Sequence, residues 1–250
     1  MKNVKNDIRI IEETGRNYNE IIFCEDYIPK NVYLYQINLR DNIINRCLKN
    51  RTFKYAIDFG CGTGFHLKTL SKYSENLIGI DMSFGALREC KKKVECEYIV
   101  CDIKHLPFKD NVIDFIWIAG VLHHLPNEVN TIISNISYII KKDGFVLIDE
   151  PNKLNLFNYL NMRLSKADPT GRERPLSLNK IKRLLLANNF TILKSDTYEF
   201  ISPIGLIFNK NIVINLCNTL DSYINKTFLK AFSLRWYIFA MSGKNKRMNK

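Results

Sequence analysis

Between Lys54 and Glu150 five short apolar runs alternate with helix-patterned segments. The runs read KYAIDFG, NLIGID, CEYIVCD, VIDFIWIAG and GFVLIDE. Strands this continuously apolar need cover on both faces, and parallel neighbours need a crossover between them, so the pattern predicts a parallel sheet. The crossovers are a helix from about Thr63 to Tyr73, SFGALRECKKKV with Ser83 as its N-cap, and NEVNTIISNISYIIKK with apolar residues three and four apart. A further helix, NVYLYQINLRDNIINRCLKN, precedes the first strand. The expected class is α/β, a doubly wound Rossmann-like sheet with helices on both faces. At 250 residues the chain is long enough for one such domain.

After Glu150 the pattern changes. PNKLNLFNYLNMRLSK reads as a helix, ADPTGRERP as a loop, SLNKIKRLLLANN as a capped helix and FTILKSDTYEF as a strand. Residues 203–232 are apolar at helical spacing, and LRWYIFAMSGK closes the chain as a strand. The last two strands are expected to pair as an antiparallel hairpin with 203–232 inserted between them. The chain thus divides into an N-terminal helical cap (1–50), a Rossmann-like core (51–152) and a C-terminal half (153–250) that completes the sheet. The insertion at about 203–232 would serve as a lid, membrane or dimer element.

The first strand runs into the turn DFGCGTG, with Gly60, Gly62 and Gly64 at alternate positions around Cys61. Glycines admit positive φ and let a ligand approach the backbone, and ligands of open α/β sheets bind at the carboxyl ends of strands. The dinucleotide fingerprint has a different spacing, G-x-G-x-x-G, and no Gly-Lys-Ser/Thr follows to make a phosphate loop. Asp81 ends the second strand, where a carboxylate accepts hydrogen bonds from ribose hydroxyls. Asp102 ends the third, where a carboxylate can accept the adenine amino hydrogens while the Ile103 amide donates to the ring. Met82 and Ile103 can then pack on the adenine faces. Together these features suit an adenosyl ligand without a pyrophosphate.

Over about residues 54–152 the sequence resembles the class I S-adenosylmethionine-dependent methyltransferases of the small-molecule branch. DFGCGTG is similar to that family's glycine motif, GIDMS to its ribose-binding acid, CDIKHLPFKDNVIDFIWIAGVLHHL to its adenine acid through the fourth strand, and KKDGFVLIDEPN to its fifth strand. The resemblance implies a seven-stranded sheet, mostly parallel with a reversed last strand. It also implies that Asp58 faces the methionine ammonium of S-adenosyl-L-methionine, with Gly60, Cys61, Gly62, Gly64, Asp81, Met82, Asp102, Ile103, Ala119 and Gly120 around the rest of that cofactor.

Methyl transfer needs the acceptor aligned in a dry site, and a hydroxyl acceptor gains from a base with a pKa near 7. His123 or His124 of LHHL is the candidate general base and Glu150, ending the fifth strand, the other candidate. No Asn/Asp-Pro-Pro-aromatic motif follows the fourth strand, which argues against amino-methylation of nucleic-acid bases. No cysteine cluster has zinc spacing, so no metal is expected. A non-catalytic cofactor-binding or partner-binding protein on the same fold is the alternative, and a dinucleotide oxidoreductase is disfavoured by the glycine spacing.

Charge bears on the partner. The net charge is +12, and residues 151–250 carry 17 basic and 5 acidic side chains, so the excess lies wholly in the last hundred residues. Such a bias suits an anionic partner or merely reflects solvated faces. The expected acceptor is a small molecule or a lipid- or sugar-linked one, compatible with negative charge; no specific nucleic acid is expected. Peripheral membrane contact and a homodimer both fit the apolar insertion. The seven cysteines lack C-x-x-C pairs, and the N-terminal stretch lacks an apolar signal core. A cytoplasmic, reducing location is therefore the expectation, at most peripheral to a membrane.

Overall fold

The computed structural model describes residues 30–164, 172–200 and 211–243. Its strands are β1 (Phe53–Phe59), β2 (Ser74–Asp81), β3 (Glu97–Val100), β4 (Ile113–Ala119), β5 (Ile140–Pro151), β6 (Phe190–Tyr198) and β7 (Arg235–Ser242). They form one seven-stranded sheet in the order β3-β2-β1-β4-β5-β7-β6. The first five are mutually parallel, and β7 runs antiparallel to both β5 and β6. The reversed last strand and the closing hairpin are as expected.

Side-chain alternation along the strands sorts the core into two layers. On one face Ile57, Ile116, Ile118, Val146, Ile148 and Trp236 meet α4 (Val129–Ile139) and α6 (Leu178–Ala187). Four isoleucines of α4 and Val129 supply most of that contact. On the opposite face Ala56, Phe115, Trp117, Leu147 and Phe239 meet α1 (Lys30–Leu48), α2 (Leu67–Leu70) and α3 (Phe84–Lys91). The remaining helices are α5 (Leu156–Leu164) and α7 (Asn211–Ile224), and a 3-10 turn spans Phe228–Phe232. Among the described residues no helix is long and apolar enough to cross a membrane.

Several boundaries differ from the sequence reading. The helix expected from Thr63 to Tyr73 is only Leu67–Leu70, continued by a 3-10 turn at Ser71–Tyr73. Gly60, Gly62 and Gly64 all have positive φ, +68°, +54° and +85°, so a right-handed helix cannot start until the turn is complete. β5 begins at Ile140, ahead of Gly144, with a register shift against β4 between Ile113 and Phe115. Ser83 caps α3 by accepting the Ala86 amide at 3.1 Å, whereas Ser177 occupies the N-cap of α6 without a side-chain capping bond. Of the inserted stretch, residues 211–224 are helical. The expectations for 1–29, 203–210 and most of the loop at 167–175 fall outside the described residues.

The isoleucines of α4 make a stability test. Ile136 is fully buried between helix and sheet, so Ile136→Ala should cost about 2–5 kcal/mol in urea unfolding. Leu186 on α6 is 56% exposed, and Leu186→Ala should change stability by no more than about 0.5 kcal/mol.

Candidate active site

β1 and β4 are neighbours in the sheet, and the chain winds outward from them in opposite directions. The carboxyl ends of these two strands therefore frame the crevice of the topological switch point. Every candidate residue lies at or just beyond these ends or those of β2, β3 and β5. The glycine turn forms one wall. A Cβ on Gly60 would stand 2.4 Å from Val121 Cγ2, and one on Gly64 would stand 2.4 Å from Cys90 Sγ. A Cβ on Gly62 would meet nothing within 4 Å. Gly60 and Gly64 are thus required by packing as well as by φ, while Gly62 borders open space.

The turn is tied to β2. Gly60 and Cys61 donate to the Ile80 carbonyl at 2.7 and 3.0 Å. The Gly62 amide donates to Asp81 Oδ2 at 2.9 Å, and the Ser83 amide to Asp81 Oδ1 at 2.8 Å. Each carboxylate oxygen keeps a lone pair for a further donor. Burial raises the Asp81 pKa against the lowering effect of those amides. Asp58 is buried beneath the turn; burial, then Cys90 and Asp81, push its carboxyl well above the usual range. A cationic group brought beside Asp58 would relieve that penalty.

Two of the expected contact residues turn their side chains inward. The Cys61 thiol turns into the α1-side core, where a Cβ on Gly79 would stand 3.1 Å from its sulfur, so only the Cys61 backbone faces the turn. Ile103 is 7% exposed and packs in the opposite core with Ile80 and Leu122 rather than lying open as an adenine-stacking face. Met82 remains half-buried at the β2 end. Asp102 organises its own turn, accepting the Lys104 amide at 2.9 Å and pairing with the Lys104 ammonium at 3.2 Å.

Beyond Ala119 and Gly120, a 3-10 turn at Leu122–His124 carries the histidines. Glu150 is fully buried behind it. Its Oε1 accepts the Val121 and Leu122 amides at 2.8 and 2.6 Å, and its Oε2 faces His123 Nδ1 at 2.8 Å. Glu150 therefore cannot reach an acceptor itself; it positions the loop and His123, which corrects its candidacy as a base. His123 Cε1 lies 3.7 Å from where a Cβ on Gly120 would stand. Burial and the neighbouring His124, against the Glu150 carboxylate, hold the His123 pKa below the ordinary imidazole value. The two rings are 4.1 Å apart, and the half-exposed His124 pairs through Nδ1 with Glu173 at 2.6 Å.

Sequence reasoning missed the polar cluster on the other side of β5. Asp149 is fully buried, and its Oδ1 accepts Arg235 Nε at 2.8 Å, Arg235 Nη2 at 2.6 Å and Arg40 Nε at 3.2 Å. Tyr198 donates its hydroxyl to Oδ2. Burial alone would raise the Asp149 pKa, but the two guanidinium groups outweigh it and the net shift is downward. Arg235 Nη2 stands 3.8 Å from a Cβ placed on Gly120, so this cluster borders the crevice. Nearby, His66 Nδ1 meets Asp41 at 2.8 Å, with its ring edge-on to Trp117. The one available signal was an acid inside an apolar strand, which demands a distant cation.

Residues 57–148 match the family model described as "Methyltransferase domain". Over those residues the chain is similar to the methyltransferase-domain family. An uncharacterised protein of Methanocaldococcus jannaschii is 26% identical over 245 residues, covering 92% of this chain and 90% of that protein. The tRNA U34 carboxymethyltransferase of Aliarcobacter butzleri is 31% identical over 121 residues, 46% of this chain and only 39% of that enzyme. Among solved structures, a methyltransferase from Archaeoglobus fulgidus superposes with a TM-score of 0.66 at 19% identity, covering 89% of this chain and 99% of its own. That last likeness speaks to the fold. The cofactor expected of such a domain is S-adenosylmethionine, and the open space at Gly62 and the buried acid Asp58 fit a ligand that brings an ammonium to the turn.

The glycine turn separates packing from binding. Gly64→Ala should lower stability by more than about 1 kcal/mol in urea unfolding, because φ is +85° and Cys90 Sγ fills the added methyl's place. Gly62→Ala carries only the backbone cost of about 1 kcal/mol, and its larger effect should be on S-adenosylmethionine affinity measured by titration calorimetry.

Proposed function

We propose that this methyltransferase transfers a methyl group in line from S-adenosylmethionine to a hydroxyl of a small-molecule or lipid- or sugar-linked acceptor, with His123 as general base. The carrying observation is the Glu150–His123 pair beside Gly120. The Nδ1 proton engages a fully buried carboxylate that already holds two backbone amides, which leaves Nε2 as an acceptor. The depressed pKa keeps the ring neutral near pH 7, the form that can take a proton. His124 flanks it and lends no comparable rigidity, since it is half exposed.

In this reading the cofactor supplies an electrophilic methyl on a positive sulfur. Asp58 pairs with its ammonium, Asp81 accepts the ribose hydroxyls, and Asp102 and the Ile103 amide meet the adenine edge beside Met82. The backbone of Gly60, Cys61, Gly62 and Gly64 lines one wall, and that of Ala119 and Gly120 lines the end where the acceptor enters. Tight closure there excludes water and holds the acceptor on the transfer axis. We place the enzyme in the cytoplasm, which agrees with the free thiols of Cys47, Cys61, Cys90, Cys96 and Cys101.

A second reading, a tRNA acceptor, is favoured by the similarity to the tRNA U34 carboxymethyltransferase and by the basic C-terminal hundred residues. Radiolabel transfer from S-adenosylmethionine into bulk tRNA, against a lipid and small-molecule extract, separates the two. Label in tRNA alone overturns the first reading.

Two measurements test the assignments. Asp81→Ala removes a charged acceptor worth about 1.5–3 kcal/mol, so calorimetry should show S-adenosylmethionine affinity at least ~tenfold lower. Unchanged affinity would refute the ribose role. His123→Ala should lower kcat by roughly 10²–10⁴-fold with cofactor affinity retained, and the acid limb of the wild-type kcat–pH profile should lie below the ordinary imidazole pKa. If His123→Ala keeps full turnover, the base assignment fails.

A further inference from the structure

The far end of β5 and the start of β7 pair at Pro151 and Arg235, at the same end of the sheet as the crevice. Three segments gather beside that pair. Asn152, at the end of β5, donates to the Ala231 and Ser233 carbonyls at 2.9 and 2.8 Å, and Asn155 donates to the Phe232 carbonyl at 2.7 Å. These bonds seat the entry to α5 on the 3-10 turn, which α7 leads into through a turn capped by Thr227. The side chains presented outward are large and apolar. Leu156 is 69% exposed, Tyr223 63% and Phe228 81%, and Phe157, Leu160 and Phe232 are each 45–47% exposed. Single exposed apolar residues are ordinary, but this many on adjoining segments mark an interaction surface.

We infer that this face, formed by α5, the 3-10 turn and the end of α7, docks on an anionic lipid bilayer surface. Charge selects that occupant. Lys153 and Lys226 are exposed at the edges of the face, and Lys226 Nζ lies 5.8 Å from the Tyr223 ring centroid. Lys230 lies on the same turn, paired with Asp196 of β6. Within residues 152–164 and 211–232 the sequence holds one acid, Asp221. It is 6% exposed and turned inward to accept the Phe200 amide at 3.2 Å. Apolar side chains fringed by Lys153 and Lys226, with Asp196 engaged by Lys230 and no exposed acid within 152–164 or 211–232, match a surface that offers hydrocarbon beneath negative headgroups. No described helix is both long and apolar enough to span, so the contact proposed is interfacial. The placement brings the crevice mouth toward the bilayer, and the inference stands whether or not His123 is the base.

Vesicle co-sedimentation of the untagged full chain tests it, with phosphatidylcholine vesicles against vesicles containing phosphatidylglycerol. At low salt the chain should pellet with the anionic vesicles, and added salt should release it. Phe228→Glu and Leu156→Glu should each weaken partitioning by about tenfold, since each trades an exposed apolar side chain that would enter the bilayer for a repelled charge. S-adenosylmethionine affinity should be unchanged in both, which shows that the variants are folded. Absence of binding at low salt, equal binding to neutral vesicles, or full binding by both variants would overturn the proposal. So would a dimer in ultracentrifugation that Phe228→Glu splits without any vesicle binding, which would assign the face to a second copy of the chain.

Discussion

Two consecutive carboxylates at the end of β5, Asp149 and Glu150, hold the working end of this sheet together. Both are fully buried, and strand alternation sends them to opposite faces. Burying a carboxylate costs several kcal/mol unless its lone pairs are filled. Asp149 fills them from Arg40 on α1, Arg235 on β7 and Tyr198 on β6, elements 109, 86 and 49 residues away in the chain. Glu150 fills them from the loop after β4 and from His123. One acid thus fastens the N-terminal helix and the closing hairpin to the central strands, and the next fastens the histidine turn. Removing either carboxylate would strand its buried donors, and removing the partners would strand the acid. The geometry at Gly120 depends on both, because His123 and Arg235 approach that residue from the two sides.

The architecture was legible because it rests on short-range patterns. Continuous apolar runs such as FIWIA can only be doubly covered strands, and β1, β2 and β4 fall where those runs stand. The glycine turn was legible for the same reason: three alternating glycines have no other economical use at a strand end. What the sequence concealed is set by distance or by direction. The helix after the turn is shorter than its pattern because left-handed φ at Gly64 delays it. Cys61 and Ile103 stand at expected positions, yet their side chains point into the core. Glu150 reads in the sequence as a candidate base; its full burial and its three hydrogen bonds to the Val121 and Leu122 amides and His123 give it a positioning place instead. The Asp149 cluster could not be read at all, since nothing near Asp149 in the chain names Arg40 or Arg235.

Charge is arranged around the crevice with a consistent logic. Asp58 and Asp81 lie at its floor, both with pKa values raised by burial, and among the described residues no cationic side chain is bonded to either carboxylate. Such a floor favours a ligand that carries its own positive charge. The end at Gly120 is built differently. There Arg235 and Arg40 face Asp149, burial lowers the His123 pKa, and Glu173 sits on His124. Contact with the buried Glu150 carboxylate fixes the orientation of the His123 ring, a constraint that an exposed imidazole lacks. Burial, which raises the acids of the floor, also depresses the imidazole. The same desolvation therefore favours a cation at one end of the crevice and an uncharged imidazole at the other, and both follow from closing the carboxyl end of the sheet around Asp149 and Glu150.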